Sequence, residues 1–193
     1  MLRTMIAGFV GVIVGAAVVG VGTSQQEKPD VLEAKTVRAE RFELLDAKGK
    51  VQGALGVGPD VGPALALYDE KGEIRAGLGV LADVGPALAL YDENGKMRIG
   101  LGVLPDGSPA LTLRDENGKM RAMLGLPDGS PSLGLADENG KVRAMLNVLP
   151  DGSPGFTMGD ENGKVRAGLT VGADVGPGLV LLDKDGKVLW SAP

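Results

Sequence analysis

Five arginines recur along the chain at spacings of 23, 23, 22 and 23 residues: Arg75, Arg98, Arg121, Arg143 and Arg166. A row of guanidinium groups can bind anionic lipid headgroups, or it can solvate one face of a sheet and pair with nearby carboxylates. Gln52 and Leu189 hold the same position in the first and last units. A second series, Asp60, Asp83, Asp106, Asp128, Asp151 and Asp174, places a single carboxylate in each loop. One carboxylate per loop falls short of the oxygen cage that calcium needs. Asp183-Lys184-Asp185-Gly186 has the opening of a calcium loop without the remaining ligands, and reads as a turn. The chain contains no His and no Cys. That removes His-dependent triads, thiol nucleophiles, zinc sites and disulfides. Asp and Lys recur by repetition rather than in one unique constellation, so neither an enzyme nor a metal or other cofactor is expected. The net charge of −5 disfavours a nucleic-acid partner.

Leucines recur in two further series. Leu55, Leu78, Leu101, Leu124, Leu146 and Leu169 form the first; Leu67, Leu90, Leu113, Leu135, Met158 and Leu181 form the second. Trp190 stands where most units carry Ala. These thirteen residues are the candidate lining of an apolar surface or lumen, and the arginines fall on the opposite face.

The elements that must position them are short strands. With 32 Gly and 12 Pro, a large helical bundle is disfavoured, and with 44% apolar residues general disorder is disfavoured too. From Val37 onward the chain repeats. Pro63, Pro86, Pro109, Pro131, Pro154 and Pro177 are spaced 23, 23, 22, 23 and 23 residues apart. An Asp-x-x-Gly turn marks each unit, for example Asp92 to Gly95 and Asp115 to Gly118. Asp at the first position and Gly at the fourth suit a type I turn followed by a left-handed residue. After it comes a run such as Met97 to Val103, alternating apolar with small or charged residues at a period of two. A second run follows the proline, as in Pro109-Ala110-Leu111-Thr112-Leu113. The hydrophobic pattern predicts a four-residue loop that pairs Leu90 with Met97, because a three-residue loop would set Leu90 beside Arg98. One unit, around Gly125-Leu126-Pro127, is a residue short, which places the looser loop at the proline end.

Arg41 to Leu45 reads as a second strand without a first, and Val188 to Ala192 as a first strand without a second. Two half-units and six full units make seven hairpins. Complementary halves at the two ends predict a closed, shallow β-barrel or ring in which the first and last strands pair, with Trp190 filling space at the seam. A linear β-solenoid is the alternative. In the ring the leucine face is buried, around either a filled core or an apolar space that takes a lipid tail, a helix or a partner.

Residues 1–23 read as a transmembrane helix, with Met5 to Gly22 free of charge and long enough to span a bilayer core of about 30 Å. A cleaved signal peptide is the alternative, although Gly20-Val21-Gly22 is a poor cleavage site. Gly11 and Gly15 form a GxxxG pair suited to a homodimer contact. Residues 24–36 are a polar linker and 37–193 the repeat domain. Arg3 and the amino terminus favour that domain outside the cytoplasm, while Lys28, Lys35 and Arg38 on the far side oppose it.

The anchor followed by tandem Asp-x-x-Gly-Lys-x-Arg-Ala-x-Leu hairpins, as in Asp115 through Ala122 and Asp160 through Ala167, resembles the bacterial β-flower proteins over about residues 37–193. The resemblance implies a shallow symmetric barrel whose hairpins spread as petals. It also invites comparison with tubby-like barrels, which bind membrane phosphoinositides around a central helix that this chain lacks unless its N-terminus serves. The expectation is a membrane-tethered, non-enzymatic module contacting lipid or an apolar ligand. The alternative is a cell-surface structural or protein-interaction repeat module.

Overall fold

The computed structural model describes residues 34–58, 62–174 and 176–193. Its strands are β1 (Arg41–Leu45), β2 (Val51–Gly58), β3 (Gly62–Tyr68), β4 (Ile74–Leu81), β5 (Gly85–Tyr91), β6 (Met97–Val103) and β7 (Pro109–Arg114). They continue as β8 (Met120–Gly125), β9 (Ser132–Ala136), β10 (Val142–Val148), β11 (Pro154–Gly159), β12 (Val165–Gly172), β13 (Gly176–Leu182) and β14 (Val188–Ala192). A single turn of 3₁₀ helix, Pro127–Gly129, occupies the shortened loop.

The strands form one antiparallel meander of 14 strands in chain order. The half-units at both ends take the places predicted for them, as β1 and β14. The ring does not close, however. Among the described residues β1 pairs with β2 alone and β14 with β13 alone, so the sheet is open and the closed barrel is not formed. Local turn chemistry makes each hairpin, but nothing local forces the two ends to meet. Trp190 accordingly sits on an open edge strand opposite Leu181, at no seam.

The turn end shows how the sequence solves its parity problem. Asp92 N–H donates to the Lys96 carbonyl and Gly95 N–H to the Asp92 carbonyl, a three-residue loop in which Gly95 takes φ +69°. Tyr91 then pairs with Met97, and the register slips so that Leu90 faces Ile99 rather than Met97. Arg98 is the extra residue of a β-bulge. The bulge keeps the favoured turn and still returns Leu90 to the apolar face. The same slip recurs beside β1, β3, β7, β9, β11 and β13.

The transmembrane helix expected over residues 1–23, with Gly11 and Gly15, lies outside the described residues. Among the described residues no helix is long and apolar enough to cross a membrane.

Candidate functional site: a leucine face and a stapled turn end

Register places one apolar residue per strand in a continuous row across the sheet. It runs Phe42, Leu55, Leu65, Leu78, Leu88, Leu101 and Leu111 from β1 to β7. It continues Leu124, Leu133, Leu146, Phe156, Leu169 and Leu179 to Ala192 on β14. A parallel row toward the turns holds Leu67, Leu90, Leu113, Leu135, Met158, Leu181 and Trp190, mostly facing Ala of the next strand. The structure therefore brings all thirteen predicted apolar residues to one face. It adds Leu65, Leu88, Leu111, Leu133 and Leu179, each two residues before or after a predicted one, a signal the period of two already carried.

This face is not buried, contrary to expectation. Leu78 is 53% exposed and Leu101 49%, whereas Ala54 and Ala89 on the opposite face are 2% and 4% exposed. Among the described residues the sheet is a single open layer, with no second layer to cover the leucines. The short side chains of the other face are covered by their longer neighbours instead. Ile74 Cδ1 reaches within 3.7 Å of where a Cβ on Gly77 would stand, and Met97 Sδ within 3.6 Å of the same point at Gly100. The bulge is what turns Met97 toward that face, so a strict period of two misplaces it. Over β3–β7 this face forms an apolar groove of about 250 Å³, walled by Ile74, Met97 and Arg114 at one end and Leu81, Val84 and Leu104 at the other. Tyr91, at the end of β5, is buried, which pushes its hydroxyl up to about 12.

The five arginines lie at the bulges and act as staples between hairpins. Arg98 Nε donates to the Arg114 carbonyl at 2.9 Å, and its Nη1 lies 3.4 Å from Asp92 Oδ2. Arg75, Arg121 and Arg143 repeat this with Asp69, Asp115 and Asp137 and with the carbonyls of Tyr91, Ala136 and Gly159. Arg166 bonds Asp160 and the Asp183 carbonyl. Gln52 replaces arginine in the first unit and reaches Asp46 at 3.3 Å. Lysines ending three of the turns add a rung: Lys50 Nζ donates to the Glu70 carbonyl, Lys96 Nζ to the Glu116 carbonyl at 2.6 Å and Lys119 Nζ to that of Glu138 at 2.8 Å.

The turn carboxylates are equally committed. Asp92 Oδ1 accepts the N–H groups of Asn94 at 2.9 Å and Lys96 at 3.0 Å. The Lys96 N–H is the main reason the Asp92 carboxyl sits below its ordinary range, with burial opposing and Asn94 and Arg98 assisting. Asp46 and Asp69 are lowered in the same way, chiefly by the N–H groups of Lys50 and Glu73. Asp183 holds the N–H groups of Asp185 and Lys187, the pattern of a turn. At the other end Asp106 and Asp151 accept from Ser108 and Ser153, while Asp60 lies outside the described residues. Among the described residues no group of three or more acidic side chains could hold a metal ion.

Fold and surface together define a repetitive antiparallel β-meander with one exposed leucine face. The chain matches no family model, and comparison with curated proteins finds no match.

Proposed function

We propose that the protein is a membrane-tethered, non-enzymatic binding module whose leucine face contacts lipid or an apolar ligand. The observation that carries this reading is the mainly leucine row across the 14 strands, most of its side chains 37–53% exposed on one side of a single layer. Contiguous apolar patches beyond a few hundred Å² are rare on soluble monomers and mark interaction surfaces. The uncharged run Met5 to Gly22 supplies the tether and keeps such a face near the bilayer. The arginines flank the opposite face at the turn end, already bonded to carboxylates and carbonyls, so apolar contact rather than headgroup charge supplies the affinity. Phosphoinositide-type recognition through Arg75, Arg98, Arg121, Arg143 and Arg166 is correspondingly secondary. The open edges favour a second reading, a structural or protein-interaction module at the cell surface.

Trp190 is the only tryptophan of the chain and stands on the leucine face. Full-length protein in vesicles with brominated acyl chains is expected to show quenched Trp190 emission. Substituting Leu101→Glu and Leu124→Glu together should relieve the quenching while the tether still holds the chain to the vesicles. Unquenched emission from the unaltered, vesicle-bound chain would reject lipid contact through this face. Recovery of a protein partner that the double variant no longer binds would then favour the second reading.

A further inference from the structure

The two open edges of the sheet are complementary to each other in register, and the geometry points to head-to-tail pairing of β14 of one copy with β1 of a second copy of this chain. Every interface between a first-type strand and the second-type strand after it follows one register. In β4 and β5 it is Ala76 with Leu90, Gly77 with Ala89 and Leu78 with Leu88; in β12 and β13 it is Ala167 with Leu181, Gly168 with Val180 and Leu169 with Leu179. β14 is a first-type strand with no successor. Its pairing to β13 makes Trp190, Ser191 and Ala192 the equivalents of Ala167, Gly168 and Leu169. β1 is a second-type strand with no predecessor. Its pairing to β2 makes Phe42, Glu43 and Leu44 the equivalents of Phe156, Thr157 and Met158.

Continuing the same register between copies sets Trp190 against Leu44, Ser191 against Glu43 and Ala192 against Phe42. The bulk matches. Inside the sheet the main row pairs large with large, mostly leucine with leucine; at the junction a small Ala192 meets a larger Phe42. Trp190 and Leu44, 49% and 64% exposed on their edges, would cover one another. Among the described residues no strand pairs with the outer edge of β14 or of β1. Natural edge strands are blunted by charge, proline or a cover. β14 carries no charge and no proline across Val188–Ala192. The charges of β1, Arg41 and Glu43, are paired with each other at 2.8 Å. Because the two edges differ, the contact is heterologous. It extends the leucine face from copy to copy, as a closed ring of copies or an open fibre.

The absence of native cysteine allows a direct test in the full-length chain held in mild detergent. Ser191→Cys and Glu43→Cys are made in separate chains, mixed and oxidised. The expected product is a disulfide-linked pair of one of each. Its yield should exceed by about tenfold that of Ser191→Cys mixed with the off-register Arg41→Cys, because a disulfide tolerates only a narrow Cα separation. Sedimentation of the unaltered chain should shift to larger species with concentration, with a matching blue shift of Trp190 emission. Ser191→Pro should abolish both, since it removes a donor from the edge while leaving the interior ladder intact. Equal yields from both mixtures overturn the inference. So does a chain carrying both cysteines that links only within itself, or a species that stays monomeric at every concentration.

Discussion

At the scale of single residues, the turn aspartates and one glycine set the chemistry. Asp92 holds two N–H groups through one oxygen and faces Arg98 with the other. Its carboxyl is lowered in the folded chain, so its contribution is complete above the unfolded value of 3.8 and is lost as pH falls through the lower folded value. The thermal midpoint should therefore be flat from neutrality to about pH 5 and fall below about pH 4. Asp92→Asn should lower the midpoint at neutral pH and shrink its loss on acidification, which melting curves at graded pH would show. Gly85 makes a different demand. It takes φ +85°, and a Cβ there would lie 2.5 Å from the Val103 carbonyl oxygen. Gly85→Ala should cost about 1–3 kcal/mol by chemical denaturation.

At the scale of elements, the hairpin is the unit, and the bulge arginine binds each unit to the next. Arg98→Ala removes one bond to a neighbouring carbonyl and one half-exposed ion pair, and should cost no more than about 1 kcal/mol. Nearest-neighbour contact also predicts tolerance of deletion. Excising residues 92–114 joins Tyr91 to Asp115 at equivalent positions and removes two strands without changing any register. Such a chain should keep its β-sheet circular dichroism and unfold slightly earlier, as expected when stability sums over repeats and their interfaces. The two faces should respond oppositely to substitution. Leu101→Ala on the exposed face should cost well under the roughly 2–5 kcal/mol typical of buried leucines. Ala89→Leu on the covered face should cost about 1–3 kcal/mol through overpacking against its neighbours. Denaturant titrations of the pair would rank the faces.

At the scale of the whole molecule, the open meander decides what the repeats can do. A ring would have hidden the leucines and consumed both edges. The open sheet leaves the leucine face accessible and both edges unpaired among the described residues, as the proposed contact with a bilayer or apolar ligand and the proposed pairing of copies require. These uses combine, because pairing copies lengthens the face and multiplies weak contacts along it. Covering one half-exposed leucine contributes on the order of 1 kcal/mol, so affinity for an apolar surface should rise with the number of copies engaged.

The sequence by itself determined the local structure. Asp-x-x-Gly spacing located the hairpin turns, prolines located strand starts, and alternation assigned Leu67, Leu90 and Leu113 to the same side as Leu78 and Leu101. Each of these depends on residues a few positions apart, where turn chemistry and the pleat leave little choice. Even so, Leu90 was matched to the wrong partner. Pattern alone weighs one loop length against another, and a bulge at Arg98 satisfies both the turn and the apolar face. Only the tertiary structure decided that Phe42 and Ala192 end on separate edges and that Leu101 stays exposed while Ala89 is covered. Closure depends on twist and curvature summed over every strand, and burial depends on whether a second layer exists. No residue or spacing within one repeat encodes either quantity.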